Sequence, residues 1–283
     1  MIDQAEALRT LVRDRVASSA RDGRAPDVFT VAVTSGKGGV GKTTIAVNLA
    51  LLLARKGRAV RLVDADFGLS NAEVLMGVTP RYNLEDVLRG RIEVRDAWLD
   101  APGGVKLLSS GSGLVDMANL DEVAGAHVLD CALRSASDGD VVVIDTAPGI
   151  DESVLSLLEL VDHVMMVTTP EPTSIADTYA ALKVLLARRP DASITLVANS
   201  CASPVQAAAI AEQLRSICAR FLGGGFEDFD YLPADGAVGR AIRARRPLAT
   251  CSSHAPACTW LRKLTIKLEG RIRSCRVEHG CHG

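Results

Sequence analysis

Residues 34–44 read TSGKGGVGKTT, and no other stretch restricts so strongly what this chain can fold into. A glycine-rich turn of this kind belongs between a buried strand and a helix, where its backbone amides cradle an anion at the positive end of the helix dipole. Two patterns fit it. GKGGVG is the G-x-G-x-x-G turn that lets a dinucleotide pyrophosphate approach a helix, and GKGGVGKT is the G-x-x-x-x-G-K-[ST] loop that wraps a nucleoside triphosphate. A dinucleotide fold also expects an acid at the end of its second strand, and Asp64 stands at about that distance.

Three features favour the triphosphate. Lys42 and Thr43 directly follow the last glycine, where such a site places an ammonium on the β/γ-phosphates and a hydroxyl on Mg²⁺. A second apolar run, VVVIDTAPG, ends in Asp145 at the depth where a Walker B carboxylate holds the metal through water. VDAD offers two carboxylates, Asp64 and Asp66, where ribose recognition would use one. The expected contacts run through Gly36, Lys37, Gly38, Gly39, Val40, Gly41, Lys42, Thr43 and Thr44, with Mg²⁺ near Thr43, Asp64 and Asp145. A bulky residue at Gly38 or Gly41 should block the cradle.

The surroundings support an α/β reading. Short β-rich runs (VFTVAVTS, AVRLVDAD, VKLLSSG, DVVVIDT, HVMMVTTP, SITLVANS and FDYLPAD) alternate with helical stretches. Most are almost wholly apolar, as in strands covered on both faces, so the expectation is a doubly wound, mainly parallel sheet flanked by helices. Ligands then bind beyond the strand C-termini, where each motif above falls. With 283 residues and 48% hydrophobic composition, one large domain is expected over 28–270. Before it come a helix over 1–20, with Ala5, Leu8, Val12 and Val16 at helical spacing, and a tether over 21–27; a basic tail follows over 271–283.

A formal net charge of −2 gives no whole-molecule case for nucleic-acid binding, so any basic contact must be local. Without a signal-type run or a spanning segment, the chain is expected to be cytoplasmic, with its seven cysteines as free thiols.

The second lysine, Lys37, lies too early in the turn to share the role of Lys42. The pattern K-G-G-x-G-K-[ST] resembles the deviant Walker A motif of the MinD/ParA/nitrogenase-iron-protein superfamily. There the early lysine reaches the phosphates of the other subunit's ATP, with the logic of an arginine finger. DADFGLSNAEVLMG resembles switch I of the MinD branch and VVVIDTAPGI its switch II. PRYNLEDVLRG, GGVKLLSSGSGLVDMANL and VMMVTTPEPTSIADTYAALKVL are similar to the flagellar-number regulators called FlhG, FleN or YlxH. DQAEALR, from Asp3 to Arg9, is similar to the element with which that family stimulates the GTPase FlhF.

The resemblance implies an ATP-dependent dimer, with Lys37 acting in trans and Asp66 orienting the attacking water. Asn199 would read the adenine edge, with Pro233 and Asp235 bordering the base. Asp3, Gln4, Ala5, Leu8 and Arg9 would contact FlhF, and flagellar C-ring proteins or a flagellar transcriptional activator are further implied partners. DTAPG departs from the family's commoner D-T-A-A-G, and DYLPAD stands where many relatives carry an I-P-Y-D-like sequence. A generic positioning ATPase, or an ATP-binding anti-activator or scaffold, remains an open alternative.

Plainer readings stand beside these. Asp64 and Asp66 could be turn formers and Asn199 a turn cap. His127 and His163 read as surface or satisfied residues. Cys251, His254, Cys258, Cys275, His279, Cys281 and His282 lack paired metal-ligand spacing. The stripe Trp260, Leu264, Leu268, Ile272 and Cys275 fits a core helix up to Gly270, with reversible contact at the inner membrane face open for the segment beyond it.

Overall fold

Among the described residues, eight strands form one sheet in the order β3-β4-β2-β5-β1-β6-β7-β8. The computed structural model describes residues 27–67, 70–111 and 124–280, with side chains except at 124–127 and 276–280. The N-terminal helix and tether, including the DQAEALR element, lie outside the described residues.

β1 (Phe29–Thr34), β5 (Val141–Thr146) and β6 (His163–Thr168) make the centre, and every residue of the three is buried. That burial on both faces is why they read as continuous apolar runs rather than alternating ones. β2 (Val60–Ala65) and β4 (Val105–Leu108) extend one side, while β7 (Ile194–Cys201) and β8 (Asp228–Pro233) extend the other. All these pairings are parallel; β3 (Leu99–Ala101) runs antiparallel on β4. β3, three residues long, is the strand that sequence reading missed. The seven expected runs all form strands.

Helices cover both faces. α1 (Lys42–Arg55) starts at Gly41 in the left-handed conformation, φ 96°, and buries Ile45, Leu49, Leu51 and Leu53 almost completely. It packs with α9 (Gly236–Arg243), α10 (Leu248–Cys251) and α11 (Pro256–Gly280) on one face of the sheet. α5 (Ala124–Arg134), α6 (Glu152–Leu158), α7 (Pro172–Arg188) and α8 (Pro204–Phe221) cover the other. The short α2 (Ala72–Met76), α3 (Leu84–Leu88) and α4 (Val94–Ala97) fill the passage from β2 to β3.

α11 corrects an expected boundary. The helix continues through Gly270 to Gly280, and Ile272, beyond the expected break, is fully buried with Leu261, Leu264 and Leu268. A helical glycine costs roughly 1 kcal/mol relative to alanine, less than the burial of the isoleucine two residues on contributes. Arg271 is tied to Glu227 at 2.7 Å, so the first turn of the expected tail belongs to the domain. Trp260, at the other end of the stripe, stacks on Tyr231 with ring centroids 4.2 Å apart.

Candidate nucleotide site

The site gathers where β1, β2 and β5 end. Asp64 and Asp145 are register partners on adjacent strands, both carboxylates fully buried. The loop after β1 rises between them and α7. Gly36 is packed so tightly that a Cβ there would collide with the Asp177 carbonyl on α7. Gly41, at its left-handed φ, would drive a Cβ into the Asn199 amide. At Gly38 a Cβ has only Pro148 nearby at 3.8 Å, so the protein leaves room there and a bulky side chain would occupy the loop's open side rather than meet the protein.

The loop is held from two sides. Asn199 Nδ2 donates to the Val40 carbonyl at 2.7 Å, and Asn199 Oδ1 accepts from the Ser200 amide at 2.9 Å. The residue expected to read a base thus braces the phosphate loop and caps its own turn. On the other side, the Gly149 amide donates to the Ser35 carbonyl at 2.8 Å, joining the loop to the expected switch II. The Thr146 hydroxyl donates to the Thr34 hydroxyl at 2.9 Å, aligning the two strand ends.

The two buried aspartates differ. Asp64 Oδ1 accepts from the Asp66 amide at 3.1 Å, while Oδ2 accepts from the Ser70 hydroxyl and the Asn71 and Ala72 amides at 3.0–3.1 Å. It ties Asp66, just after β2, to the start of α2 within the stretch expected to be switch I. Burial nonetheless wins over these bonds and raises its pKa from 3.8 to about 6. Among the described residues neither Asp145 oxygen makes a hydrogen bond of good geometry, and the neighbouring Thr43 hydroxyl is the one group that approaches as a donor. Burial, then the neighbouring Asp64, raises its pKa well above the usual carboxylate value, against the opposing pull of Thr43 and Lys42. A buried carboxylate without partners is costly unless a ligand completes it. The pair therefore divides labour: Asp64 is largely spent on the backbone, and Asp145 is the open acceptor that a hydrated divalent cation fits.

Lys42 is the matching cation. It is 6% exposed, and burial lowers its pKa while Asp145 and Asp66 pull it back up. Asp66 sits half-buried at the rim, its carbonyl accepting from the Ser110 hydroxyl at 2.9 Å. Thr43 and Thr44 are half-buried on the first turn of α1.

Lys37 goes elsewhere. Its Nζ lies 3.0 Å from Glu171 Oε2 and 2.8 Å from the Thr173 hydroxyl, at the N-terminus of α7. Within this protomer it does not turn back onto its own loop. Sequence reading missed both partners, although they follow β6 in the TTPEPTS stretch. Asp235, expected to border a base, accepts with Oδ1 from the Ala237 amide at 2.8 Å and with Oδ2 from the Ala257 amide at 3.1 Å. One carboxylate thus caps α9 and ties down the start of α11, a role signalled by the D-G-A start of α9. Pro233 ends β8 and is half-buried.

His163 is fully buried at the opposite end of the sheet, between the Ser193 and Thr195 hydroxyls at 3.0 and 3.1 Å. It is a satisfied core residue.

A glycine loop opening a helix at the central strand, a buried loop lysine and a bare strand-end carboxylate define a P-loop nucleoside triphosphatase with a second, outward-facing loop lysine. The family model described as ParA, NUBPL iron-transfer P-loop NTPase, matches residues 28–207, and the chain belongs to this ParA/MinD-type family of ATPases. Among curated relatives, the antiactivator FleN of Pseudomonas aeruginosa is 40% identical over 77% of this chain and 78% of its own length. The flagellum site-determining protein YlxH of Helicobacter pylori is 35% identical over 76% of this chain and 72% of its own. The fold is similar to that of the cell division ATPase MinD of Pyrococcus furiosus, with a TM-score of 0.72 and 24% identity over 86% of this chain and 98% of that one.

Proposed function

We propose that the chain is an ATP-driven dimerising switch that sets the number or placement of flagella. The observation that carries the switch is the pairing of two lysines with opposite destinations. Lys42 is buried beside Asp145, whereas Lys37 projects to the rim and bonds Glu171 and Thr173. A cation at the rim is available to a second copy's triphosphate, as the buried one is not. ATP then bridges two protomers, and hydrolysis separates them. The likeness to FleN and YlxH supports the flagellar assignment.

In this reading the loop amides and Lys42 hold the β/γ-phosphates, Thr43 and Asp145 hold Mg²⁺, and Asp66 orients the attacking water. Mg²⁺, when bound, offsets charge on the phosphate oxygens. Asp64 keeps switch I in shape, and Asn199 couples the loop to the base-side rim near Pro233. Light scattering tests the switch: dimer with ATP and monomer with ADP is expected, and a Lys37→Ala protein that binds ATP yet dimerises normally would refute the role of that lysine.

The finer proposal concerns the partner. The DQAEALR element, Asp3 to Arg9, is proposed to stimulate an FlhF-type GTPase. GTP turnover by FlhF, measured with the full chain and with a chain lacking residues 1–20, decides it; equal turnover in both removes this partner. The name of the FleN relative supports a second reading, restraint of a transcriptional activator without need of hydrolysis. Normal flagellation in cells carrying Asp66→Ala would favour that reading.

A further inference from the structure

We propose that the exposed end of α9 is a docking surface for an acidic, amphipathic helix of a partner protein. The chain there reads GRAIRARRP, and Arg240, Ile242, Arg243, Arg245 and Arg246 are all exposed. Among the described residues none of these four arginines has an ion-pair partner. Elsewhere Arg58, Arg61, Arg89, Arg188 and Arg271 are each paired with a carboxylate within 4.0 Å. For a chain with a formal net charge of −2, this is a local excess of positive charge that the protein leaves unanswered.

The patch carries an exposed apolar side chain as well: Ile242 is 43% exposed. α2 and α9 meet because Gly77, which ends α2, packs against the Arg245 carbonyl; a Cβ on Gly77 would lie 2.9 Å from that oxygen. The turn that displays the arginines is specific too. Arg245 takes a left-handed φ of 50°, with its amide on the Ile242 carbonyl and the Arg246 amide on the Ala241 carbonyl. Glycine is the usual residue at this position of a helix end, so a long charged side chain here is held against local backbone preference.

Chemistry selects the occupant. Guanidinium forks bind carboxylates in paired hydrogen bonds, and arginine with aliphatic contacts is the composition of a protein interface centre. A phosphate backbone or a lipid headgroup layer would use the charges but not the exposed Ile242 beside them. A helix with glutamates flanking a leucine stripe uses both.

The surface stands on the nucleotide site. Asp64 anchors the start of α2, and α2 ends on Arg245. Thr44, Asn48, Leu75, Ile242 and Arg246 line one small cleft, and Asn48 Oδ1 accepts from the Ala249 amide at 2.8 Å. A partner docked there touches elements that nucleotide also touches, so the two bindings are linked in both directions. The surface itself does not depend on the flagellar assignment.

Fluorescence anisotropy of a labelled helical peptide with glutamates around a leucine stripe tests this, using the full chain with ATP. Salt-sensitive binding is expected, weakened about tenfold or more by Arg243→Glu with Arg246→Glu. A smaller loss is expected with the matching glutamine pair, and none with Lys106→Glu, whose lysine pairs with Asp100 at a distant strand. Basal ATP turnover of the arginine variants should match that of the parent chain. Equal peptide binding by parent and glutamate pair would overturn the proposal. So would charge-dependent binding of duplex DNA or of phosphatidylglycerol vesicles without binding of the peptide.

Discussion

The two ends of the central strands treat buried polar groups in opposite ways. At the N-terminal end Asp162 accepts from both the amide and the hydroxyl of Thr30 at 2.7 Å, and His163 lies between two hydroxyls. At the C-terminal end neither Asp145 oxygen makes a well-formed hydrogen bond among the described residues, and Lys42 is buried beside it. The same sheet and a similar apolar lining produce a finished end and an unfinished one. Hydrogen-bond closure marks structure, and its absence marks where a ligand completes the fold.

The largest effect is expected at the unfinished end. Lys42→Ala should weaken ATP binding about a thousandfold, roughly 4 kcal/mol, as measured by calorimetry. Unchanged affinity would mean that the buried ammonium has no phosphate to serve.

Next come opposite pH slopes. His163 is held neutral, its pKa lowered from 6.5 to about 4 by burial and then by Arg271. Between these values the unfolded chain binds more protons than the folded one, so stability rises with pH across that window. Asp64, raised from 3.8 to about 6, does the reverse: the folded state holds the extra proton, and stability falls as pH rises from about 4 to 6. Each effect is on the order of 3 kcal/mol at full extent. They offset each other in the parent chain. Thermal unfolding without nucleotide should therefore show a steeper acid loss in Asp64→Asn and the opposite slope in His163→Asn. Identical pH profiles in the two variants would remove the distinction between the ends.

Asp145→Asn should raise the stability of the nucleotide-free protein by about 1–2 kcal/mol, because it removes a buried charge repelled by Asp64, and should abolish Mg²⁺-dependent hydrolysis. Denaturant melts paired with phosphate release check both. The smallest effect is expected from Asp235→Ala, which loses two caps and about 1 kcal/mol, with ATP affinity changed little. A large loss of affinity there would restore a direct role beside the base.

Much of this was legible beforehand, for physical reasons. Parallel strands buried on both faces announce themselves as apolar runs, and the loop chemistry of Lys42, Thr43 and Asp145 needs fixed spacing. Less legible were contacts that spacing does not encode. Asn199 reaches the Val40 carbonyl across 159 positions, and Lys37 meets Glu171 across 134. Asp64 and Asp145 look alike as strand-end acids. Only the backbone amides of Asn71 and Ala72 reveal that one is occupied and the other open. β3 was too short for a periodic signal, and the helix expected from Trp260 onward could be read without showing how far along it the core extends, because tertiary burial of Ile272 is invisible locally.

The seat of Lys37 has a consequence for assembly. Two protomers meeting face to face would bring a pair of ammonium groups together about a twofold axis. With each already answered by Glu171 of its own chain, the faces approach without that repulsion. In the proposed dimer the glutamate would act as a placeholder, surrendering its lysine only when a neighbour's triphosphate offers more negative charge.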